Sequence, residues 1–313
     1  MITFLSGGTG TPKLIQGFRA ILNDKNLAVI VNTADDIWLS GLYVSPDVDT
    51  VLYLFSNLLD ESKFWGIKND TFNTLEFLQM LGFPSWFNLG DKDLAISLFR
   101  TRMIQKGYSQ EMIIKILSEK LGVKATIIPC TNSHIESRIL TEDKGDIHFQ
   151  EYWIKYKTDV KIKEVYIKDL ESAQTPGLIR KVIEESELII IGPSNPITSI
   201  GPIIQIKEIE ILLKKHKEKV IAISPIIGNK PVSGPTGKLM AVKGIDTTPL
   251  GIAEIYKELC SCLIIDRSDL TMAKQIENES GLKVIAEDIL FKNPASVTKL
   301  AQIILKNRGL YDK

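Results

Sequence analysis

The segment Ser6-Gly7-Gly8-Thr9-Gly10-Thr11-Pro12-Lys13-Leu14 has the residue types that hold phosphate. Glycines let backbone N–H groups approach anionic oxygens closely, and a helix starting here adds the partial positive charge of its N-terminus. Thr9 and Thr11 add hydroxyl donors, and Pro12 suits a first helical turn. Gly7, Gly8, Thr9, Gly10, Thr11 and Lys13 are therefore the candidate phosphate contacts. Two common phosphate loops are excluded. Gly8-Thr9-Gly10 supplies the first two glycines of G-x-G-x-x-G, but Lys13 stands in place of the third. The second strand ends at Asn32, not at the acidic residue that meets a ribose. No G-K-[ST] follows the glycines, as a P-loop requires.

Two acidic loops follow. Asn32-Thr33-Ala34-Asp35-Asp36-Ile37-Trp38 lies at the carboxyl end of a strand, where doubly wound sheets collect ligands. Paired Asp residues there can touch a metal, a base or a ribose, with Asn32 and Asp35 the candidate ligand contacts; an Asx turn or helix cap is the competing reading. In Ser45-Pro46-Asp47-Val48-Asp49-Thr50-Val51, carboxylates at i and i+2 can share a Mg²⁺ or place one general base. Asp49 can equally cap the helix that follows. Trp86-Phe87-Asn88-Leu89-Gly90-Asp91-Lys92-Asp93-Leu94-Ala95 joins a stacking surface to mixed charge, or forms a capped helix corner. Gly192–Pro202, with Ser194, Asn195 and Ser199, and Ser224–Gly228 are Pro- and Gly-rich loops that offer hydroxyls, amides and backbone N–H groups to an anion or a purine. Gly234-Pro235-Thr236-Gly237-Lys238 reads as a turn with Lys238 near a phosphate, and Asp266 after a later strand is a weaker candidate.

The elements that position these loops follow from periodicity. Ile2–Leu5, Leu27–Val31, Lys124–Pro129, Leu188–Ile191, Val220–Ser224 and Leu263–Ile265 are apolar runs of strand length without alternation, as expected of strands covered on both faces. Helical patterns intervene, at Leu14–Leu22, Gln205–His216, Leu250–Leu259 and Leu270–Glu279. The expectation is one α/β domain over residues 1–313 with a doubly wound, mostly parallel, Rossmann-like sheet. Residues 51–121 read as a helical insertion covering the site. Residues 137–165 read as a β-hairpin or meander on the sheet edge, with strands at Arg138–Leu140, Ile147–Tyr156 and Val160–Val165. Lys306–Lys313 reads as a solvated end.

Bulk properties narrow the function. Of 313 residues, 44% are hydrophobic and 24% charged, and Lys+Arg and Asp+Glu both number 38. A net charge of zero gives no footprint for nucleic acid. No apolar run reaches membrane-spanning length, and no leader pattern precedes Ile2, so the expected place is the cytoplasm. Cys130, Cys260 and Cys262 read as buried thiols, and His134, His148 and His216 fit no zinc pattern.

In this order, Ser6–Leu14, Asn32–Trp38, Ser45–Thr50, Trp86–Ala95, Gly192–Pro202, Ser224–Gly228 and Gly234–Lys238 resemble the 2-phospho-L-lactate transferase family of methanogens. The resemblance spans almost the whole chain. It implies transfer of a 2-phospho-L-lactyl group from lactyl-2-diphospho-5'-guanosine to the ribityl hydroxyl of Fo (7,8-didemethyl-8-hydroxy-5-deazariboflavin). GMP is released, Mg²⁺ is required, and the product leads to coenzyme F-420. The resemblance also implies a homodimer and places Asp49 and Lys92 against Fo. The residues permit this chemistry. Asp47 or Asp49 can hold the metal or accept the hydroxyl proton, with Asp49 the expected catalytic position. Trp86 and Phe87 can pack near the ring. The rival reading is a nucleotide-sugar-binding regulator with a similar glycine loop and fold but no transferase activity. The Ser45–Thr50 and Trp86–Ala95 stretches favour the transferase.

Overall fold

Strands covered on both faces must be apolar on both, and Ile2–Ser6 and Leu27–Val31 are buried at every position. In the computed structural model, which describes residues 1–311, these runs are β1 (Ile2–Ser6) and β2 (Leu27–Val31). The remaining core strands are β3 (Thr126–Pro129), β4 (Leu188–Ile191), β5 (Val220–Ile223), β6 (Cys262–Asp266) and β7 (Lys283–Glu287). They form one seven-stranded sheet in the order β7-β6-β5-β4-β1-β2-β3, parallel at every pairing. Alternate side chains feed two apolar layers. Phe4 and Val29 face one, with Leu14, Phe18 and Leu300, and Leu5 and Ile30 face the other, with Ile183, Leu212 and Ile252. The molecule is thus a doubly wound α/β fold of Rossmann type.

Strand order fixes where a ligand can lie. Ile2 of β1 pairs with Leu27 on one side and with Leu188 on the other. The chain leaves β1 in one direction and returns to its other side only at β4. The loops leaving the carboxyl ends of β1 and β4 therefore diverge and leave a crevice between them.

The long β2–β3 crossover holds most of the helical insertion. A short hairpin, Ile37–Leu39 with Leu42–Val44, leads to α2 (Pro46–Phe55), α3 (Asn73–Met80), α4 (Asp91–Gln105) and α5 (Gln110–Lys120), which follow α1 (Gly10–Arg19) in the chain. The helices begin at Pro46, ahead of the expected 51, because proline at the first helical position costs no hydrogen bond. Asp91 accepts the backbone N–H groups of Asn73 (3.2 Å) and Thr74 (2.9 Å), capping α3 from the start of α4.

The β extension differs from expectation. It is a separate antiparallel sheet of Asp146–His148, Glu136–Thr141 and Ile162–Lys168, with its own small core around Ile139, Phe149 and Val165 packed on Leu239. The run Ile147–Tyr156 is not one strand. It is strand only to His148, and Glu151–Lys155 is wound as one π-helical turn. The edge strand β7 was not expected: its residues are partly exposed and begin and end on charges, so its apolar signal is short. The C-terminal stretch is only partly a solvated end. The last helix runs Pro294–Asn307, and Arg308 donates to the Glu218 carbonyl (3.0 Å) and Ser261 Oγ (3.1 Å). Asp312 and Lys313 lie outside the described residues.

Candidate active site

The crevice between β1 and β4 opens into a cleft of about 480 Å³. Its floor is the pair of loops that leave those strands, and they are stitched together. Gly8 adopts φ +58°, and its N–H donates to Asp47 Oδ1 (2.8 Å). The Thr11 N–H donates to Ser194 Oγ (3.0 Å), and the Thr11 and Ser194 hydroxyls share a hydrogen bond (2.8 Å). Thr11 is therefore spent on joining the loops and is not exposed to the cleft. Thr9 makes no capping bond to its own helix and lines the cleft with Gly8 and Gly10.

Gly10 is required by close approach. A Cβ there would lie 2.2 Å from the Pro193 carbonyl oxygen, a backbone atom that cannot turn aside. A Gly10→Ala substitution should push the loops apart, destabilising the protein by about 1–3 kcal/mol and weakening donor binding more than acceptor binding. Calorimetric melting and separate KM values check this; an unchanged melting temperature would show that the loops do not pack this closely.

Asn195 Oδ1 is taken by the N–H of Ile197 (2.9 Å), while its Nδ2 is buried without a partner. Thr198 Oγ1 is likewise buried and unpaired, and both residues line the cleft beside Ser194 and Ser199. Asn32 is buried beneath them. Its Nδ2 donates to Asp47 Oδ2 (2.9 Å) and the Thr198 carbonyl (3.2 Å), and its Oδ1 accepts from Ala34 N–H (2.9 Å). Asn32 thus braces the acidic and Ser/Asn loops and does not itself reach the cleft.

Four carboxyl groups line the cleft: Asp35, Asp47, Asp49 and Asp93. Burial, then the nearby Asp47 charge, pushes the Asp35 carboxyl well above the usual range, and Asp35 Oδ1 has no partner. Burial raises Asp47 to about 6 despite the donors Asn32 and Gly8. Asp49, in the first turn of α2, is also raised by burial, opposed by Arg100. The Arg100 guanidinium, fully buried on α4, grips both Asp49 oxygens: Nη1 donates to Oδ2 at 3.1 Å and Nη2 to Oδ1. An oxygen pair bound this way, beside a fixed cation, is a poor magnesium ligand. Asp47 also has both oxygens bonded, but only by the neutral donors Gly8 N–H and Asn32 Nδ2, and the neighbouring Asp35 keeps Oδ1 without a partner, so this pair is open to a divalent cation in a way that Asp49 is not. Among the described residues, no three His, Cys, Asp or Glu side chains converge as a full metal cage. Mg²⁺ does not need one, because it is often held by one or two carboxylates plus substrate phosphates.

The other walls come from the insertion (Tyr53, Lys63, Trp65, Phe87, Asn88, Leu89), from the π-helical turn (Trp153, Ile154) and the two residues before it (Phe149, Gln150), and from Pro225 and Ser233–Thr236. Sequence reasoning did not single out Tyr53, Lys63, Trp65, Arg100 or Trp153. Several residues that it did single out lie behind the walls. Trp86 packs edge-on against Phe87, ring centroids 5.8 Å apart, and so supports the cleft residue. Lys92 is exposed, with Nζ on the Asn69 carbonyl (2.9 Å). The Lys13 ammonium lies 5.1 Å from the Phe64 ring centroid. Lys238 Nζ bonds the Thr158 carbonyl (2.9 Å), and Asp266 caps a turn through Ser268 N–H (3.0 Å). The three cysteines are buried free thiols.

Asp93 makes a pH dependence. Burial first, with Asp49 nearby, raises its carboxyl to about 6. Unfolded, it titrates near 3.9, so the folded state holds the proton more tightly. The Asp93 contribution to stability is full below about pH 4 and falls by roughly 3 kcal/mol as pH rises through about 6. Urea unfolding of metal-free protein should show a slope of this sign, and Asp93→Asn should remove the Asp93 share of it while leaving that of Asp47, which is raised to the same value; identical slopes for both proteins would refute it.

A family model described as 2-phospho-L-lactate transferase CofD matches residues 2–299. The chain belongs to the 2-phospho-L-lactate transferase family. It is 42% identical over 312 residues to the 2-phospho-L-lactate transferase of Methanocaldococcus jannaschii, covering 99% of this chain and 98% of that one. The corresponding protein of Methanosarcina mazei is 42% identical over 306 residues, covering 98% and 99%. A crystal structure of a UPF0052 family protein from Bacillus halodurans shares the fold, with a TM-score of 0.67 over 97% of this chain and 98% of that chain, at 16% identity. Membership of the 2-phospho-L-lactate transferase family makes this chain an enzyme, so the reading as a non-enzymatic regulator gives way. Among the described residues no helix is long and apolar enough to cross a membrane.

Proposed function

We propose that the enzyme transfers a 2-phospho-L-lactyl group from lactyl-2-diphospho-5'-guanosine to the ribityl hydroxyl of Fo, with Mg²⁺, in the making of coenzyme F-420. The observation that carries this reading is the set of buried polar atoms left without partners at the switch point: Asn195 Nδ2, Thr198 Oγ1 and Asp35 Oδ1. Buried polar atoms are nearly always paired, so an unpaired set around a cleft marks where ligand atoms complete it. A diphosphate offers acceptors to Asn195 Nδ2, Thr198 Oγ1 and the Thr9 hydroxyl, which makes no capping bond and lines the cleft. Asp35 and Asp47 would hold Mg²⁺, which when bound neutralises charge on the diphosphate.

The reaction balances simply. The ribityl oxygen forms a bond to the lactyl-bearing phosphorus, the bond from that phosphorus to the bridging oxygen breaks, and GMP leaves with that oxygen. Asp49 takes the hydroxyl proton. Burial raises its carboxyl and Arg100 lowers it, with burial the larger effect, and the Arg100 guanidinium holds the side chain in place at the cleft wall. Phosphoryl transfer asks mostly for positioning and charge stabilisation, which these loops supply.

The test is incubation with Fo, Mg²⁺ and guanosine-linked lactate, enolpyruvate or glycerate, reading the mass of the deazaflavin. The expected result is a gain of one phospholactyl group with equimolar GMP. No gain with any of the three donors would refute the reading.

A further inference from the structure

Against four carboxyl groups, the described residues that line the cleft include one cation, Lys63. It stands in an unusual loop. Leu59 and Ile67 close the loop as an isolated antiparallel bridge. Inside, the Ser62 N–H and hydroxyl both donate to Asp60 Oδ1 (3.0 and 2.6 Å), and the Phe64 N–H donates to the Asp60 carbonyl (2.8 Å). Phe64 has φ +58°, a left-handed conformation that a bulky side chain rarely adopts and that persists only where surrounding contacts impose it. Here its ring packs on the main core and takes the Lys13 ammonium on its face.

With Phe64 anchored against the α1 side, its neighbours Lys63 and Trp65 both face the cleft. The Lys63 ammonium lies 5.1 Å from the Trp65 ring centroid and 3.5 Å from the Asp60 carboxylate, with its side chain 48% exposed. An exposed pair of this kind binds weakly, so Lys63 can exchange Asp60 for a ligand anion. Beyond the loop the cleft opens into a side cavity of about 210 Å³, shared through Lys63, Trp65, Gly66 and Asp93. A flat ring lying on Trp65 thus has room for its far edge.

The acceptor carries an anion of its own. Its ring hydroxyl is conjugated to the carbonyls of the pyrimidinedione, so it is an acidic, vinylogous acid. Ionised, it is repelled by the cleft carboxylates and attracted by Lys63, the one cationic side chain among the described residues that line the cleft. We propose that Lys63, seated on Trp65, receives the ring hydroxyl of the acceptor and holds it as the anion, the proton passing to bulk water. This rests on the reading of Fo as acceptor. Lys63 is then a recognition residue that selects a hydroxylated deazaflavin over a ring without the acidic hydroxyl.

Ionisation of such a conjugated hydroxyl changes its visible absorption, so it can be titrated directly on the enzyme without donor. With wild-type protein the midpoint of bound Fo should lie about one pH unit or more below that of free Fo, the effect of an adjacent opposite charge. Lys63→Met should abolish the lowering and weaken Fo binding about tenfold above the midpoint, with little change below it; Lys63→Arg should restore both. Lys63 is exposed at the surface, and an unchanged melting temperature confirms that the variants fold. A Lys63→Met midpoint equal to wild type would overturn the inference. So would a rise confined to the donor KM with the Fo titration unchanged. Failure of wild-type protein to bind Fo at all would instead remove the acceptor reading, and this inference with it.

Discussion

An Asp49→Asn enzyme should turn over about 100- to 10,000-fold more slowly, the range typical of losing a general base. Asparagine preserves the shape of the side chain and one acceptor oxygen, so the acceptor KM should move far less than kcat. Asp49 is in the first turn of α2, lines the cleft, and is held in place by a guanidinium that bonds both its oxygens. Single-turnover kinetics on the folded variant separates chemistry from product release. Turnover within a few-fold of wild type would mean that the hydroxyl proton leaves by another route and that Asp49 only shapes the cleft.

Removing the other half of that pair should be felt in folding before it is felt in catalysis. Arg100 is fully buried, and its Nη1 also reaches the Tyr43 carbonyl (3.5 Å). Its charge is what lowers the carboxyls of both Asp36 and Asp49 against the burial that raises them. An Arg100→Met variant strands two buried acids without a cation and should lose about 3–5 kcal/mol of stability, a large share of what a domain possesses. The Asp49→Asn/Arg100→Met double variant should recover part of that loss, because one of the stranded charges is gone. Urea unfolding of the four proteins gives the coupling. Additive losses would show that the two residues do not share one interaction.

How much of this was legible in the sequence depended on range. Ser6–Leu14 and Gly192–Pro202 could be read as ligand loops because glycine, proline and the strands before them are local signals. That Thr11 bonds Ser194 was not legible, since the two are 183 residues apart and either hydroxyl alone looks like a ligand contact. Arg100 was missed because Leu98-Phe99-Arg100-Thr101-Arg102 has no run that separates a buried arginine from a solvated one; only the packing of α4 on the hairpin carbonyl and Asp49 does so. Trp86 and Phe87 were legible as an aromatic pair but not as a layered one, with Phe87 on the cleft and Trp86 behind it. The run Ile147–Tyr156 misled because its aromatic and apolar residues suit a strand as well as the single π-helical turn that places Trp153 and Ile154 on the wall.

The placement of β1 between β2 and β4 has a consequence for the protein's birth. A ribosome delivers β1 and its glycine loop well before the strand that flanks β1 on its second side, which begins at Leu188. At about 5–20 residues per second, roughly ten to forty seconds pass between the synthesis of β1 and that of β4, with β1 open along one edge. During that interval the nascent chain exposes a template for pairing with other chains. A translational pause between β3 and β4 should therefore lower the yield of soluble protein without altering the finished enzyme.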